Sequence, residues 1–239
     1  MVGSANAAEM KEESLVRAKP FRDFRKKKVL YIPADLPSRL LQKHLKTNAA
    51  KGKPTLFGEF YLFKESVVLF QAMGAPLAVL ALEGLIAGGA REIIILGFSG
   101  SLAPQFSIGD TAIVSRAWSE EGTSPHYFPG KSVFSPSPDM KRRVEGTLDS
   151  LGLPYREAEL VSMDAPCRET PSWLKKQTAK GIGLVDMETS AVFALAEFHG
   201  VESAALMIVS DELRPDIWKD GFSRKDLRER VKEYFFPFI

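Results

Sequence analysis

The stretch VDMETSAVFALAEFHGVESAALMIVSDE, from Val185 to Glu212, decides the fold. Its first half is an apolar segment that stops at Gly200, the residue type that ends helices in a left-handed turn. Its second half, AALMIVS, is a continuous apolar run of strand length. A helix from about Glu188 to His199 travels roughly 18 Å, and the strand returns roughly 23 Å. Such a helix and strand run antiparallel in a layered α/β fold. Glu188 at the helix start and Asp211 at the strand end are therefore expected at one rim, the carboxyl edge where these folds take ligands. Asp186 is the expected N-cap. Each acid also has an ordinary explanation: the macrodipole favours a glutamate in a first helical turn, and aspartate commonly forms the turn after a strand. The pairing is what points to chemistry.

Outward from this unit the same alternation continues. VLYIP, from Val29 to Pro33, reads as the first strand, and a helical segment follows from Ser38. YLFKESVVLFQAMG suggests an antiparallel pair turning near Lys64 and Glu65. Pro76 opens a helix that Gly88 and Gly89 close. REIIILGFSGSL is a β-branched strand, and DTAIVSRAW another. The segment Gly97-Phe98-Ser99-Gly100-Ser101 is expected to leave its strand at the same rim and turn its backbone N–H groups toward an anion or sugar. Residues 119–138, rich in Gly, Pro and Ser, read as a long loop. A helix ending at Gly152, the strand YREAELVSM and a helix ending near Gly181 complete the series. The expectation is one α/β domain over residues 29–239, with a single mixed, mostly parallel sheet and helices on both faces. Residues 1–28 form a charged N-terminal extension. The aromatic ending KEYFFPFI is expected to dock on the chain's own core.

A chain of 239 residues, 45% of them hydrophobic, can bury a large core. With 32 basic and 30 acidic side chains the net charge is +2, too small to imply a nucleic-acid or membrane partner. The cluster Arg22, Arg25, Lys26, Lys27 and Lys28 reads as a solvated lead-in to the first strand. The single cysteine, Cys167, excludes an internal disulfide and suits a reducing cytoplasm. No apolar run is long and charge-free enough to span a bilayer. The three histidines, His44, His126 and His199, show no metal-ligand spacing. The partner expected is a small molecule, with no metal and no cofactor.

Several motifs together resemble the nucleoside phosphorylase family, which includes uridine phosphorylase, hexameric purine nucleoside phosphorylase and the methylthioadenosine/S-adenosylhomocysteine nucleosidases. They are Ala72-Met73-Gly74-Ala75-Pro76 with Glu83, the glycine segment Gly97 to Ser101, Gly109-Asp110, Glu121-Gly122-Thr123-Ser124 with His126-Tyr127, Asp186-Met187-Glu188, and Val209-Ser210-Asp211. The resemblance implies that Glu188 holds the ribose hydroxyls and Met187 floors the sugar. As the glycosidic bond breaks, the sugar gains oxocarbenium character, and a carboxylate on its hydroxyls binds more strongly. It implies that Asp211 gives the departing base a proton or hydrogen bond, for which it must be protonated near neutral pH. Gly97, Ser99, Gly100, Ser101 and Arg39 would hold phosphate or another anion. Phe98, Phe193, His126, Tyr127, Arg168 and Arg224 would border the base, with Arg224 placed thirteen residues beyond Asp211 to close on it. A homo-oligomer is implied as well.

The departures from the family pattern concern phosphate. Phosphorolytic relatives carry an arginine two residues before the glycine matching Gly97 and a hydroxyl residue just after it; this chain has Ile95 and Phe98. Near the first strand it reads Ala34-Asp35-Leu36-Pro37-Ser38-Arg39, with the arginine one place late. Each lost charge-assisted hydrogen bond is worth about 1.5–3 kcal/mol. Three readings follow: phosphorolysis of a purine or pyrimidine nucleoside with phosphate as co-substrate, hydrolysis with water as nucleophile, and nucleoside binding without turnover.

Overall fold

The structure is a computed structural model that describes residues 14–21, 24, 25, 27–35 and 39–239. Arg22 and Lys26 of the basic cluster, and Leu36 to Ser38, lie outside the described residues. The chain proceeds through β1 (Lys28–Ile32), α1 (Leu40–Asn48), β2 (Lys51–Thr55), β3 (Gly58–Leu62), β4 (Ser66–Phe70), α2 (Ala75–Ala87), β5 (Glu92–Ser101) and β6 (Thr111–Ser119). It continues with α3 (Ser124–Tyr127), β7 (Val133–Phe134), α4 (Pro138–Ser150), β8 (Arg156–Ser162), α5 (Pro171–Ala179), β9 (Leu184–Asp186), α6 (Thr189–His199), β10 (Glu202–Arg214), β11 (Ile217–Asp220) and α7 (Lys225–Tyr234).

The strands form one mixed sheet, ordered β11-β10-β6-β8-β9-β5-β1-β4-β3-β2, with β7 on β6. Alternation along β5 sorts the core into two layers. Ile93 and Ile95 pack with Leu82 and Leu85 of α2 and Val192 and Phe193 of α6. Ile94 and Leu96 pack with Met140 and Val144 of α4 and Leu227 and Val231 of α7. Helices therefore cover both faces, as the alternating sequence requires. The aromatic ending belongs to the second layer: Tyr234, Phe235 and Phe238 are buried there. Lys27, from the basic lead-in, donates to the carbonyls of Phe63 at 2.9 Å and Lys64 at 2.6 Å, pinning the β3–β4 turn.

Three expectations are corrected. Gly97 to Ser101 is not a turn: β5 runs through Ser101, with Met207 to Glu212 of β10 paired alongside. The strand containing Asp211 does not stop there, because β10 continues to Arg214 and folds back as a hairpin onto β11. Residues 119–138 are not all loop, since α3 and β7 lie within them. Cross-strand partners won in each case, satisfying backbone groups that glycine and aspartate would otherwise leave to a turn. The edge strand β2, KGKPT, is exposed and carries no apolar alternation, so it gave no strand signal.

Candidate active site

The sheet closes on itself where the site lies. Besides β1, β5 pairs with β10 and with β9; β10 pairs with β6, β6 with β8, and β8 with β9. Gly100 is the junction, opposite Val185 of β9 on one side and Asp211 of β10 on the other. A β-bulge between Val209 and Asp211 sets that register and puts Asp211, rather than Ser210, beside Gly100. A side chain at Gly100 would crowd this point: a Cβ there would stand 2.8 Å from Leu213 Cδ1, 3.0 Å from Val185 Cγ1 and 3.2 Å from Asp211 Oδ2.

On the other flank, β1 leaves β5 at Tyr31 opposite Ile95, and β9 joins it only at Gly100. Residues 96–99 therefore have no strand partner on that side. β9 runs antiparallel to β5 and ends at Asp186, so the chain leaves it toward this unpaired stretch of β5 before α6 begins. Glu188 follows directly on that departure from β9. Ser99 lies in that unpaired stretch, and its hydroxyl is buried without a hydrogen-bond partner among the described residues, an uncommon condition for a buried polar atom.

Glu188 is the residue before α6 and is only 4% exposed. Its Oε1 accepts the Gly74 N–H at 2.5 Å. Gly74 can present that N–H because the β4–α2 connection crosses there with φ 90°, a conformation suited to glycine. The crossing is pinned by Tyr31, whose hydroxyl donates to the Ala72 carbonyl at 2.6 Å. Asp186 lies beside Glu188 and is well supplied with donors. It accepts from Ser162 Oγ at 2.6 Å, Thr189 N at 3.0 Å, Glu188 N at 3.2 Å and the Thr189 hydroxyl. Asp186 thus caps the first turn of α6 from two residues ahead of the formal N-cap, Glu188, rather than from the N-cap position itself. Burial, the Asp186 charge and, more weakly, Asp164 push the Glu188 carboxyl up to about 8, against the Gly74 and Met187 backbone bonds. Burial raises the Asp186 carboxyl as well, against the bonds from Ser162, Thr189 and the Glu188 N–H; Glu188, with fewer donors, is the member of the pair whose protonated form the site favours. Burial and these two acids also raise the Tyr31 phenol.

Asp211 belongs to an adjoining cluster. Its Oδ1 accepts from Ser210 Oγ at 2.8 Å and its Oδ2 from the Trp218 indole N–H at 2.8 Å. Glu169, ahead of α5, faces it; burial and the Asp211 charge raise the Glu169 carboxyl to about 7. Glu188 and Asp211 thus stand on opposite flanks of residues 97–100.

The other expected site residues are distributed as follows. Met187 is half-buried between the two acids of the DME segment. Gly97 lies against Met207, whose Sδ a Cβ would approach to 2.8 Å. Ser101 is fully buried, with its hydroxyl donating to Ala103 O at 2.9 Å and Phe106 O at 2.7 Å. Arg39 is exposed in a left-handed conformation ahead of α1. Phe98 packs on Phe235 at 5.6 Å, in the core layer of the C-terminal helix. Phe193 is buried in the opposite layer. Tyr127 donates to Glu83 at 2.7 Å, and His126 is exposed beside it. Arg168 is exposed next to Glu169. Arg224 turns its guanidinium to Asp226, with Nε 2.9 Å from Oδ1. Tyr31, Asp164, Glu169 and Trp218 were not singled out from the sequence. Only position in the folded sheet marks them; a tyrosine inside a first strand reads as core. Among the described residues, no group of three or more His, Cys, Asp or Glu is arranged to hold a metal ion, and no helix is long and apolar enough to cross a membrane.

Comparison with known proteins gives this geometry a context. Residues 34–235 match the family described as Phosphorylase superfamily. The chain is 27% identical over 161 residues to the guanosine phosphorylase of Halorubrum lacusprofundi, covering 67% of each protein. It is 27% identical over 156 residues to the DeoD-type purine nucleoside phosphorylase of Bacillus cereus, covering 64% of this chain and 66% of that protein. These alignments span about two thirds of the relatives' length. Its fold is similar to the crystal structure of purine nucleoside phosphorylase from Toxoplasma gondii in complex with immucillin-H. That likeness has a TM-score of 0.75 at 18% identity, over 95% of this chain and 96% of the other.

Proposed function

The chain belongs to the phosphorylase superfamily, and on that premise we propose that it cleaves the N-glycosidic bond of a nucleoside and passes the pentose to phosphate. The observation that carries the proposal is Glu188: a buried carboxyl met by backbone N–H groups alone, Gly74 and Met187, after β9 leaves the flank of β5 where the Ser99 hydroxyl has no hydrogen-bond partner among the described residues. Ribose hydroxyls supply the donors that Glu188 lacks. As positive charge develops on the sugar, the ionised carboxylate pulls harder on those hydroxyls, and the transition state gains more than the ground state. Asp211 receives the base on the far flank of β5. The names of the relatives favour a purine, guanosine phosphorylase among them. The enzyme works as a homo-oligomer in this reading.

Hydrolysis is the second reading, and Ile95 favours it. The position where the resemblance calls for an arginine is a fully buried isoleucine in the apolar layer of α2 and α6. Phosphate bound at residues 97–99 would have no side-chain cation from that strand position.

The test is a panel of purine and pyrimidine nucleosides incubated with the protein, with and without inorganic phosphate, followed by identification of the sugar. Pentose 1-phosphate formed only with phosphate supports the first reading, and free pentose in both conditions supports the second. Binding of a nucleoside without any sugar product would overturn both.

A further inference from the structure

The β10–β11 hairpin carries a residue that none of the family motifs includes. Trp218 is 59% exposed and its neighbour Ile217 63%, although tryptophan is the side chain with most to gain from burial. Trp218 packs loosely against Phe222, ring centroids 6.0 Å apart. Among the described residues, its side chain makes one hydrogen bond, 2.8 Å from the indole N–H to Asp211 Oδ2. In the hairpin register Trp218 is opposite Leu213 and Asp220 opposite Asp211, so Trp218 and Asp211 are diagonal neighbours on one face. The other Asp211 oxygen is held by Ser210, and the absence of a side chain at Gly100 lets the carboxylate lie against the β5 backbone. Asp211 is therefore already occupied by the N–H of a flat aromatic heterocycle, mounted on a hairpin tip with little else to hold it.

We propose that Trp218 is a specificity-determining gate. In the empty enzyme its indole N–H occupies the Asp211 oxygen that takes an N–H of the substrate's heteroaromatic base. The base enters by displacing it. The inference rests on the reading of Asp211 as the base-binding acid, with its Oδ2 accepting an N–H from the base, as it accepts the indole N–H, rather than giving the base a proton as the family resemblance implies. It adds that the base must carry a ring or exocyclic N–H directed at Oδ2, and that its affinity is reduced by the fraction of protein in which Trp218 is closed. Trp218→Phe keeps an aromatic ring on the hairpin and removes only the competing donor. One hydrogen bond at an exposed site corresponds to roughly a three- to tenfold change in apparent affinity. The variant should therefore bind the base more tightly by that factor, whereas a residue that merely braces the hairpin would leave affinity unchanged or weaken it.

The experiment uses the full chain with Trp118→Phe and Trp173→Phe, so that all indole fluorescence comes from Trp218. Hypoxanthine, guanine, adenine and uracil are titrated in, with calorimetry reporting binding independently. The expected result is a saturable change in Trp218 emission at the concentrations where calorimetry shows binding. In the otherwise native chain, Trp218→Phe should lower the dissociation constant three- to tenfold while the melting temperature of the empty protein falls by only a few degrees. Binding seen by calorimetry with Trp218 emission unmoved, or an equal or weaker affinity in Trp218→Phe, overturns the gate and leaves the proposed function standing. If no base binds, and no nucleoside is bound or cleaved in the panel above, the proposed function falls and the gate with it.

Discussion

Glu121 and Glu188 are equally buried, each 4% exposed, and both stand at the start of α6, yet the protein treats them in opposite ways. Glu121 is saturated with donors: Ser119 Oγ at 2.7 Å, Thr123 N at 2.5 Å, Ser124 N at 3.0 Å, Ser190 Oγ at 3.0 Å and the Ser124 hydroxyl. These bonds outweigh its burial and hold its carboxyl below the usual range. Glu188 has the Gly74 N–H and an acidic neighbour, and its carboxyl is pushed up. One glutamate ties the β6–α3 connection to the helix, and the other is left short of partners. Burial alone therefore does not mark a functional acid. The mark is burial with the donor set incomplete, because the missing donors are what a ligand supplies.

The largest effect that sharpens this contrast is on turnover. Glu188→Gln keeps the shape and removes the charge, and should lower nucleoside cleavage about a hundred- to a thousandfold, measured as kcat/KM on the best substrate of the panel. Full activity in that variant would break the distinction between the two glutamates. Next is stability. Glu121→Gln removes a charge on which several donors converge and should cost about 2–3 kcal/mol in denaturant unfolding. The same change at Glu188 should leave stability equal or improved, since it relieves a buried acid of its ionisation penalty.

Much of the architecture was legible before the structure. The helix and strand of Val185 to Glu212, the turn at Lys64 and Glu65, and the helix behind Pro76 all follow from apolar spacing and turn chemistry that act locally. What escaped was set by partners distant in sequence. Nothing within GFSGS indicates that β10 and β9 will hold it extended through Ser101, and nothing in VSDELR that β11 will pair back on it. The same applies to the site. Glu188 and Asp211 stand out as candidates from the residues around them, whereas Tyr31, Glu169 and Trp218 join the candidate site only through neighbours 7 to 157 positions away. The expected link between Arg224 and Asp211 fails for a local reason: Asp226, two residues on, offers that guanidinium a carboxylate at once.

The smallest effect is on the pH dependence of folding. Below the ordinary carboxyl range both the unfolded chain and the native protein keep the Glu188 proton, and nothing is lost. As pH climbs toward about 8, the unfolded chain releases that proton and the native protein retains it, so stability declines across the window. Glu121 has the opposite sign: its contribution is present above the usual carboxyl range and is lost as pH falls through its lowered value. Unfolding curves from pH 5 to pH 8 should therefore fall by roughly 1 kcal/mol per pH unit in the native sequence, with the raised Glu169 carboxyl contributing as well, and Glu188→Gln should make the slope shallower. A native profile that is flat, or that rises with pH, would place the proton elsewhere.

On the proposed function, Glu188 awaits the sugar in its protonated form and surrenders that proton when ribose hydroxyls replace it. Calorimetric titration of the bound nucleoside near pH 7, repeated in buffers of different ionisation enthalpy, counts protons released on binding. The account predicts a release approaching one proton per site in the native protein and essentially none in Glu188→Gln. An equal count in the two proteins would contradict it.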